Sequence, residues 1–412
     1  MSVNVPSGYK QTKVGVIPEA WNVVKLREVV KVSQGLQIPI SHRFNEPSEN
    51  RVFYITIPHT EGKKVEYIED AKKSVLCNKD DLLVVRTGSG VGKIIKGVEG
   101  AFHNNFFKIK FLNELDTDFM YAFLTSSRTQ FLMNTYAGSS AIPDLNHGDF
   151  YSLDFLLPPL KEQQKIAQIL TTWDDAISKQ ETLIKAQEEL KKGLMQNLLS
   201  GEVRFDGFDG EWEEVRLGDI GKTYGGLTGK TAEDFGRGDS KYITYKNIFN
   251  NSKINPFIFE SVKVNVTEKQ NKVIYGDILF TTSSETPEEV GMSSVLLTEI
   301  DDVYLNSFCF GYRAKDLNAL DPKFSRFYFR SYYMRDKISR LAQGSTRFNL
   351  SKLQVMKIKI KLPLQAEQRK IAQVLTLADK NIDLLKNELE ALKEQKRGLM
   401  QRLLSGEARV LV

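Results

Sequence analysis

One stretch of this 412-residue chain is written twice, and that constrains the fold more than anything else in it. Gly193-Leu-Met-Gln-Asn-Leu-Leu-Ser-Gly-Glu-Val-Arg204 recurs as Gly398-Leu-Met-Gln-Arg-Leu-Leu-Ser-Gly-Glu-Ala-Arg409, ten of twelve positions identical at an offset of 205. At the same offset, Glu162-Gln-Gln-Lys-Ile-Ala-Gln-Ile-Leu170 returns as Glu367-Gln-Arg-Lys-Ile-Ala-Gln-Val-Leu375. Weaker anchors follow upstream: Trp21-x-x-Val-Lys-Leu26 with Trp212-x-x-Val-Arg-Leu217, Asp81-Leu-Leu with Asp277-Ile-Leu, and Phe102-His-Asn-Asn-Phe106 with Tyr304-Leu-Asn-Ser-Phe308. Gly138-Ser-Ser pairs with Gly344-Ser-Thr, and Asp144-Leu-Asn with Asn349-Leu-Ser. Such self-similarity means two copies of one structural unit. Each copy has a divergent first part and a near-identical tail.

The tails read as long helices. Ile371, Leu375, Ala378, Ile382, Leu385, Leu389, Leu392, Leu399 and Leu403 step by threes and fours, with Lys396 the one polar member. The first copy places Ile166, Leu170, Trp173, Ile177, Ile184, Leu194 and Leu198 likewise, with Gln180, Gln187 and Lys191 in the seam. This is the 3.5-residue period of a coiled coil. Prolines stand just before both stretches and Ser-Gly just after them, where helix start and stop signals belong. About forty residues at 1.5 Å each make rods of roughly 60 Å. The first helix ends near the second divergent part and the second helix starts directly after it, so the two are expected antiparallel, with the divergent parts at opposite ends. Polar seam positions would fix the register.

The expected organisation is α/β (α+β): a globular part over 1–160, a helix over 161–203, a second globular part over 204–365 and a second helix over 366–412. Strand-like runs lie at 53–57, 82–85, 106–111, 273–274, 278–281 and 355–360, and helix-like stretches at 118–134 and 322–342. Apolar residues at 41% and charged residues at 26% supply ordinary globular cores and exclude whole-chain disorder. Two cysteines, Cys77 and Cys309, exclude a disulfide scaffold and fit a reducing cytosol. Four histidines, none in a two-His metal spacing, argue against a histidine zinc site. No apolar run approaches the ~18 residues of a membrane span, and residues 1–21 lack a signal-peptide core, so a cytoplasmic chain is expected.

Catalytic signatures are missing. Arg86-Thr-Gly-Ser-Gly-Val-Gly-Lys93 has Thr87 where a phosphate loop needs glycine and Ile94 where it needs Ser or Thr. It reads as a tight glycine turn. Leu157-Pro-Pro-Leu160 lacks the acid or amide and the aromatic of an amino-methyltransferase motif. Asp70-Ala-Lys72 is the nearest approach to a nuclease signature and has no counterpart in the other copy.

Two divergent parts alternate with two near-identical helices, which open on Leu-Pro-Pro-Leu-Lys-Glu-Gln (157–163) and Leu-Pro-Leu-Gln-Ala-Glu-Gln (362–368) and close on Gly-Leu-Met-Gln-x-Leu-Leu-Ser-Gly-Glu. With the opening Gly8-Tyr-Lys10 and Gly15-Val-Ile-Pro-Glu-Ala-Trp21, this pattern resembles the specificity subunit of type I restriction–modification systems over essentially the whole chain. The resemblance implies a non-catalytic subunit. Its two target-recognition domains each read half of a split, asymmetric site in double-stranded DNA, and its helices act as a ruler between them. Two copies of a methylation subunit would dock on it to form an adenine methyltransferase. ATP-dependent restriction subunits, which translocate and cleave, would complete the complex. S-adenosylmethionine, ATP and Mg would then belong to the partners, with no cofactor and no metal on this chain. A self-sufficient methyltransferase or nuclease, and a coiled-coil scaffold joining two protein-binding modules, are the competing readings.

Charge is weakly localised, with a net +5 for the chain, so phosphate binding rests on local patches. Residues 335–361 carry eight Lys/Arg against Asp336. Lys357, Lys359 and Lys361 within them read as the solvated face of a strand. The repeat-matched loops supply the DNA-contact candidates: Arg86, Thr87, Ser89 and Lys93, with Ser139, Ser140 and Asn146, in the first copy; Thr282 and Ser283, with Ser345, Thr346, Arg347 and Asn349, in the second. Small polar donors suit phosphates and base edges, and Arg and Asn are the side chains used for guanine and adenine. The alternative is turns held by their own hydroxyls. The matched helix ends give the candidates for partner docking: Met195, Gln196 and Asn197, and Met400, Gln401 and Arg402.

Overall fold

A computed structural model describes residues 5–69, 71–88 and 90–411. Asp70, of the nuclease-like triplet, and Ser89, of the candidate loop, lie outside the described residues. The chain forms two units, Met1–Glu181 with Asn387–Val412, and Thr182–Lys386.

Two helices of 41 residues, Leu160–Ser200 and Gln365–Ser405, each give their first half to one unit and their second half to the other. They end before the expected 203 and 412 because Gly201 and Gly406 turn the chain at φ +77° and +75°, a left-handed conformation that favours glycine. The N–H groups of Val203 and Ala408 then reach back to the carbonyls of Asn197 and Arg402, satisfying acceptors that a helix end would orphan.

Within each unit the helix halves are antiparallel, and the polar seam residues set their register. Lys396 pairs with Asp174 at 2.5 Å in the first unit, and Lys191 with Asp379 at 2.5 Å in the second. Lys393–Glu181 and Lys386–Glu188, at 2.9 and 2.6 Å, flank them in the same way. The two sets are related by the offset of 205, so the repeat in sequence is a repeat in contacts. A slip of either helix by one turn would separate both lysines from their aspartates.

The divergent parts share one topology. In the first unit the strands Val30–Gln34, Phe106–Phe111, Leu82–Val85 and Ile94–Ile95 form an antiparallel sheet in that order. In the second, Gly221–Gly225, Cys309–Ala314, Ile278–Thr281 and Ser293–Val295 do the same. A second sheet in each unit holds a parallel pair, Arg51–Ile55 with Gly100–Phe102 and Phe235–Ile243 with Val303–Leu305. A two-stranded ribbon joins the entry and exit of each unit: Asn22–Lys25 with Asp154–Leu157, and Glu213–Arg216 with Lys359–Leu362.

Several sequence expectations shift. Residues 82–85, 106–111 and 278–281 are strands as expected. The run 53–57 is a strand only to Ile55, since Pro58 starts a helical turn at Ile57. Residues 273–274 form no strand, and 355–360 divides into the end of a helical turn, Lys352–Val355, and the strand from Lys359. Each expected helix is two helices, broken where Ser126 and Ser331 cap the second of the pair (Thr117–Thr125 and Ser127–Ala137; Pro322–Tyr328 and Tyr332–Ser339).

Each core takes the start of one long helix and the end of the other. Ile166, Leu170, Leu403 and Leu404 pack with Trp21, Phe119 and Phe155; Ile371, Leu375, Leu198 and Leu199 pack with Phe280, Phe324 and Tyr328. The Glu-Gln pair at each helix start is buried and serves this junction. Gln163 accepts from the backbone of Asp116 and Gln368 from that of Asp321, each at the cap of the helix that follows. Glu162 receives both Arg409 and the indole N–H of Trp21, and Glu367 receives Arg204. Much of the near-identity of the tails therefore builds the fold itself.

Candidate nucleic-acid interface

The loops singled out in each copy, far apart in sequence, meet at one end of each unit's main sheet. In the first unit Thr87 bridges to Asp144, Gly88 N–H donates to Pro143 O, and Leu145 N–H donates to Arg86 O at 2.9 Å. In the second, Ser283 and Ser284 form a short ribbon with Phe348 and Asn349, and Leu350 N–H donates to Thr282 O at 2.8 Å. Arg86 and Thr282 thus hold the same place, as do Asp144 and Asn349.

The side chains there divide into engaged and free. Arg86 grips Asp144 through Nε and Nη2, at 2.9 and 3.1 Å, and Thr87 Oγ1 donates to the same carboxylate. The Arg86 bonds, helped by Thr87 against a partial burial, hold Asp144 below the usual carboxylate range. Asn146 caps the helix His147–Tyr151 through Asp149, and Ser140 donates to Ile142 O. Ser283 is buried, and the Asn349 amide turns back to Arg347 O. Lys93, Ser139, Ser345, Thr346 and Arg347 are exposed, and Arg347 has no side-chain partner among the described residues. Thr282 is half-buried. Arg86, Thr87, Ser140 and Asn146 therefore hold the loops, as the turn reading expects, Ser283 is buried in its ribbon, and Lys93, Ser139, Ser345, Thr346 and Arg347 are exposed.

Of the basic stretch 335–361, Arg335 is structural, as is Arg330 just before it, while Arg340, Arg347, Lys352, Lys357, Lys359 and Lys361 are exposed. Arg335 donates to the carbonyls of Glu288, Val290 and Gly291, and Arg330 to those of Ile248, Phe249, Asn251 and Ser293. Burial pushes both guanidinium groups down to about 10. They anchor the segments behind the Ser283–Ser284 ribbon. Lys359 and Lys361 do line the solvated side of a strand whose other side, Ile360 and Leu362, is buried.

Comparison of the two frames also corrects the repeat alignment. Gly35 and Gly226 occupy equivalent places, where any Cβ would lie within 2.2 Å of His103 O or 2.0 Å of Asn306 O. His103 therefore matches Asn306, Asn105 matches Phe308, and Phe106 matches Cys309, one residue out of step with the sequence pairing. The motif reading joined aromatic to aromatic, but in the second unit the aromatic stands outside: Phe308 is 65% exposed.

A second matched feature lies at the helix ends. In the first unit a groove of about 450 Å³ is lined by Ser126, Arg128, Tyr136, Arg397, Met400 and Gln401. In the second a groove of about 510 Å³ is lined by Lys192, Met195, Gln196, Ser331 and Tyr332 among others. Gln196, Asn197, Gln401 and Arg402 are exposed, while Met195 and Met400 are half-buried. Gly193 and Gly398 stand beside these grooves in mid-helix, with open space where a Cβ would be.

Comparison with known proteins now decides the family. The profile of the type I restriction modification DNA specificity domain matches residues 18–187 and again 209–394. The chain belongs to this family. As a specificity subunit of the type I kind, it carries two DNA-specificity domains, one per unit. Among curated proteins it is similar to the type I restriction enzyme MjaVIII specificity subunit of Methanocaldococcus jannaschii, 24% identical over 96% of this chain and 94% of that protein. Among solved structures, the S subunit of a type I restriction–modification system from M. genitalium shares the fold, with a TM-score of 0.54 and 17% identity over 93% of this chain and 96% of that one. So does the HsdS subunit from Thermoanaerobacter tengcongensis, with a TM-score of 0.51 and 17% identity over 95% and 98%. Among the described residues of this specificity subunit, no helix is long and apolar enough to cross a membrane.

Proposed function

We propose that this specificity subunit reads a split, asymmetric site in duplex DNA, one half with each unit, and performs no chemistry of its own. One observation carries the reading: the same backbone frame at the end of each main sheet presents different side chains, Arg86 and Asp144 in one unit and Thr282 and Asn349 in the other. Equivalent frames suit the two-fold symmetry of the duplex backbone, and different side chains suit different bases. Lys93, Ser139, Ser345, Thr346 and Arg347 would contact DNA from the outward side of these loops.

The paired helices act as the ruler. Half-sites about one duplex turn apart, roughly 34 Å, bring both units to one face of the DNA. Four residues added to both helices lengthen each by about 6 Å, one or two base pairs at roughly 3.4 Å per step. Two copies of a methylation subunit dock at the helix-end grooves, around Met195-Gln196-Asn197 and Met400-Gln401-Arg402, and bring S-adenosylmethionine. Restriction subunits bring ATP and Mg.

The experiment combines the chain with its methylation subunit and maps methylated adenines on genomic DNA. A two-part motif is expected, with the halves unchanged and the gap widened in the lengthened variant. An unaltered gap would remove the ruler. Gly193→Arg with Gly398→Arg tests docking: both positions have room in the fold, so the variant should stay folded and lose co-purification with the partner. Unchanged stoichiometry would place docking elsewhere.

A further inference from the structure

We infer that Asn105 and Phe308, equivalent residues of the two units, are specificity-determining: Asn105 takes the hydrogen-bonding edge of a base, and Phe308 takes the apolar face of a thymine. The inference rests on the DNA-reading function proposed above and names where in each unit the choice of base is made.

The two loops are superimposable in their bonding. His103 N–H donates to Ile55 O and Asn306 N–H to Ile243 O, at 3.0 and 3.1 Å. Phe106 N–H returns to His103 O and Cys309 N–H to Asn306 O, at 2.9 and 3.0 Å. The N–H of Asn105 is held by His103 Nδ1 at 3.1 Å, and that of Phe308 by Asn306 Oδ1 at 2.9 Å. Finally Asn105 O accepts from Arg86 N–H and Phe308 O from Thr282 N–H, at 2.7 and 3.0 Å. Each residue is therefore held at both its N–H and its C=O, in a loop closed by two further bonds, against the segments that carry the candidate DNA contacts.

The side chains at this fixed place have few protein partners. Asn105 is half-buried, and among the described residues its amide is engaged by the His103 imidazole alone. Its neighbours Arg86, Thr87 and Asp144 bond one another. Phe308 is 65% exposed. A lone exposed phenylalanine is ordinary on a protein surface. What sets this one apart is that its N–H and its C=O are both held, in the place where the other unit holds an amide. The chemistry follows from the residue types. An asparagine amide donates and accepts at once, matching adenine N6 and N7, whereas a phenyl ring offers only an apolar surface, matching the thymine methyl in the major groove.

The test uses the full chain assembled with its methylation subunit, and measures binding to the parent duplex against duplexes carrying each single base-pair change. Phe308→Ala should lower discrimination at one base pair of one half-site by on the order of ten-fold, the size of one base-edge contact. Phe308→Leu should keep most of it. Asn105→Ala should relax one position in the other half-site only. Both side chains lie outside the cores, so thermal unfolding should match the parent and separate lost recognition from lost folding. Unchanged profiles in folded variants, or both variants relaxing the same half-site, would overturn the assignment while leaving the DNA-reading function standing. A parent complex with no two-part preference would overturn that function, and this inference with it.

Discussion

Arg204→Ala should destabilise this protein more than Arg409→Ala, although the two arginines end near-identical segments. Each arginine grips a buried carboxylate at a helix start, Glu367 and Glu162, whose side chains are 1% and 3% exposed. Removing one member of such a pair costs about 3–5 kcal/mol, because the other is left buried and charged. Glu162 keeps a second donor, Trp21 Nε1 at 2.9 Å. A hydrogen bond to a charged group contributes about 1.5–3 kcal/mol, which leaves roughly 2 kcal/mol for Arg409→Ala. In the second unit the matching indole, Trp212 Nε1, is buried without a partner, so Glu367 has no such reserve and the cost should be about 4 kcal/mol. The assay is hydrogen exchange read separately in the two ribbons, Glu213–Arg216 with Lys359–Leu362 and Asn22–Lys25 with Asp154–Leu157, supported by urea unfolding. Adding Glu367→Gln to Arg204→Ala should recover part of the loss by removing the stranded charge. Equal losses, or the larger loss from Arg409→Ala, would refute the reasoning.

Gly406→Ala should cost more than Gly201→Ala in thermal unfolding: both hold positive φ, worth about 1–2 kcal/mol, but a Cβ at 406 would also lie 2.4 Å from Pro18 whereas at 201 the nearest atom is 3.3 Å away. Asp379→Ala should cost about 3 kcal/mol by stranding Arg326, which is 8% exposed. Asp174→Ala should cost less than about 1 kcal/mol, because Tyr121 stands in the place of Arg326 and Asp174 is half-exposed; comparable losses in urea midpoints would contradict this. Burial, and after it the charge of Arg43, lowers His103 below the ordinary imidazole value of 6.5; burial and Arg86 do the same for His147. The folded first unit thus holds both neutral, so stability is full above about pH 6.5 and falls as pH drops through that value. His103→Asn, which copies Asn306, should flatten the decline in melting temperature between about pH 7 and 5; an unchanged slope would place the titration elsewhere.

The helices were legible because their signal is dense: a heptad seam, prolines before it and glycine after it. The antiparallel pairing followed from connectivity, and polar residues in an apolar seam, Lys191 and Lys396 among them, pointed to a fixed register, while the aspartates they pair with came only from the structure. The sheets were half legible. Runs such as 106–111 announce themselves by alternation, but the parallel pairing of Arg51–Ile55 with Gly100–Phe102 joins segments whose order no local pattern encodes. The meeting of the two candidate loops in each unit was foreseen only as a repeat of small polar residues. The roles of Arg86 and Asn146 depend on partners 58 and 3 residues away, and the first lies beyond local inference. Phe308 was hidden by a one-residue misalignment, because matching aromatic letters is a weaker constraint than the close approach of Gly226 to Asn306 O.

The first unit draws on residues 387–412 as well as 1–181, whereas the second is continuous from 182 to 386. During synthesis the order of completion is therefore inverted: the unit whose chain emerges first is finished last. At roughly 5–20 residues per second, Leu403 and Leu404 follow the first 181 residues off the ribosome by about 10–40 s. Through that interval Trp21, Ile166 and Leu170 lack part of the surface that covers them. A nascent first unit is thus a natural client for chaperones and proteases, and a chain cut short after Lys386 but before Leu403 would have only its second unit complete.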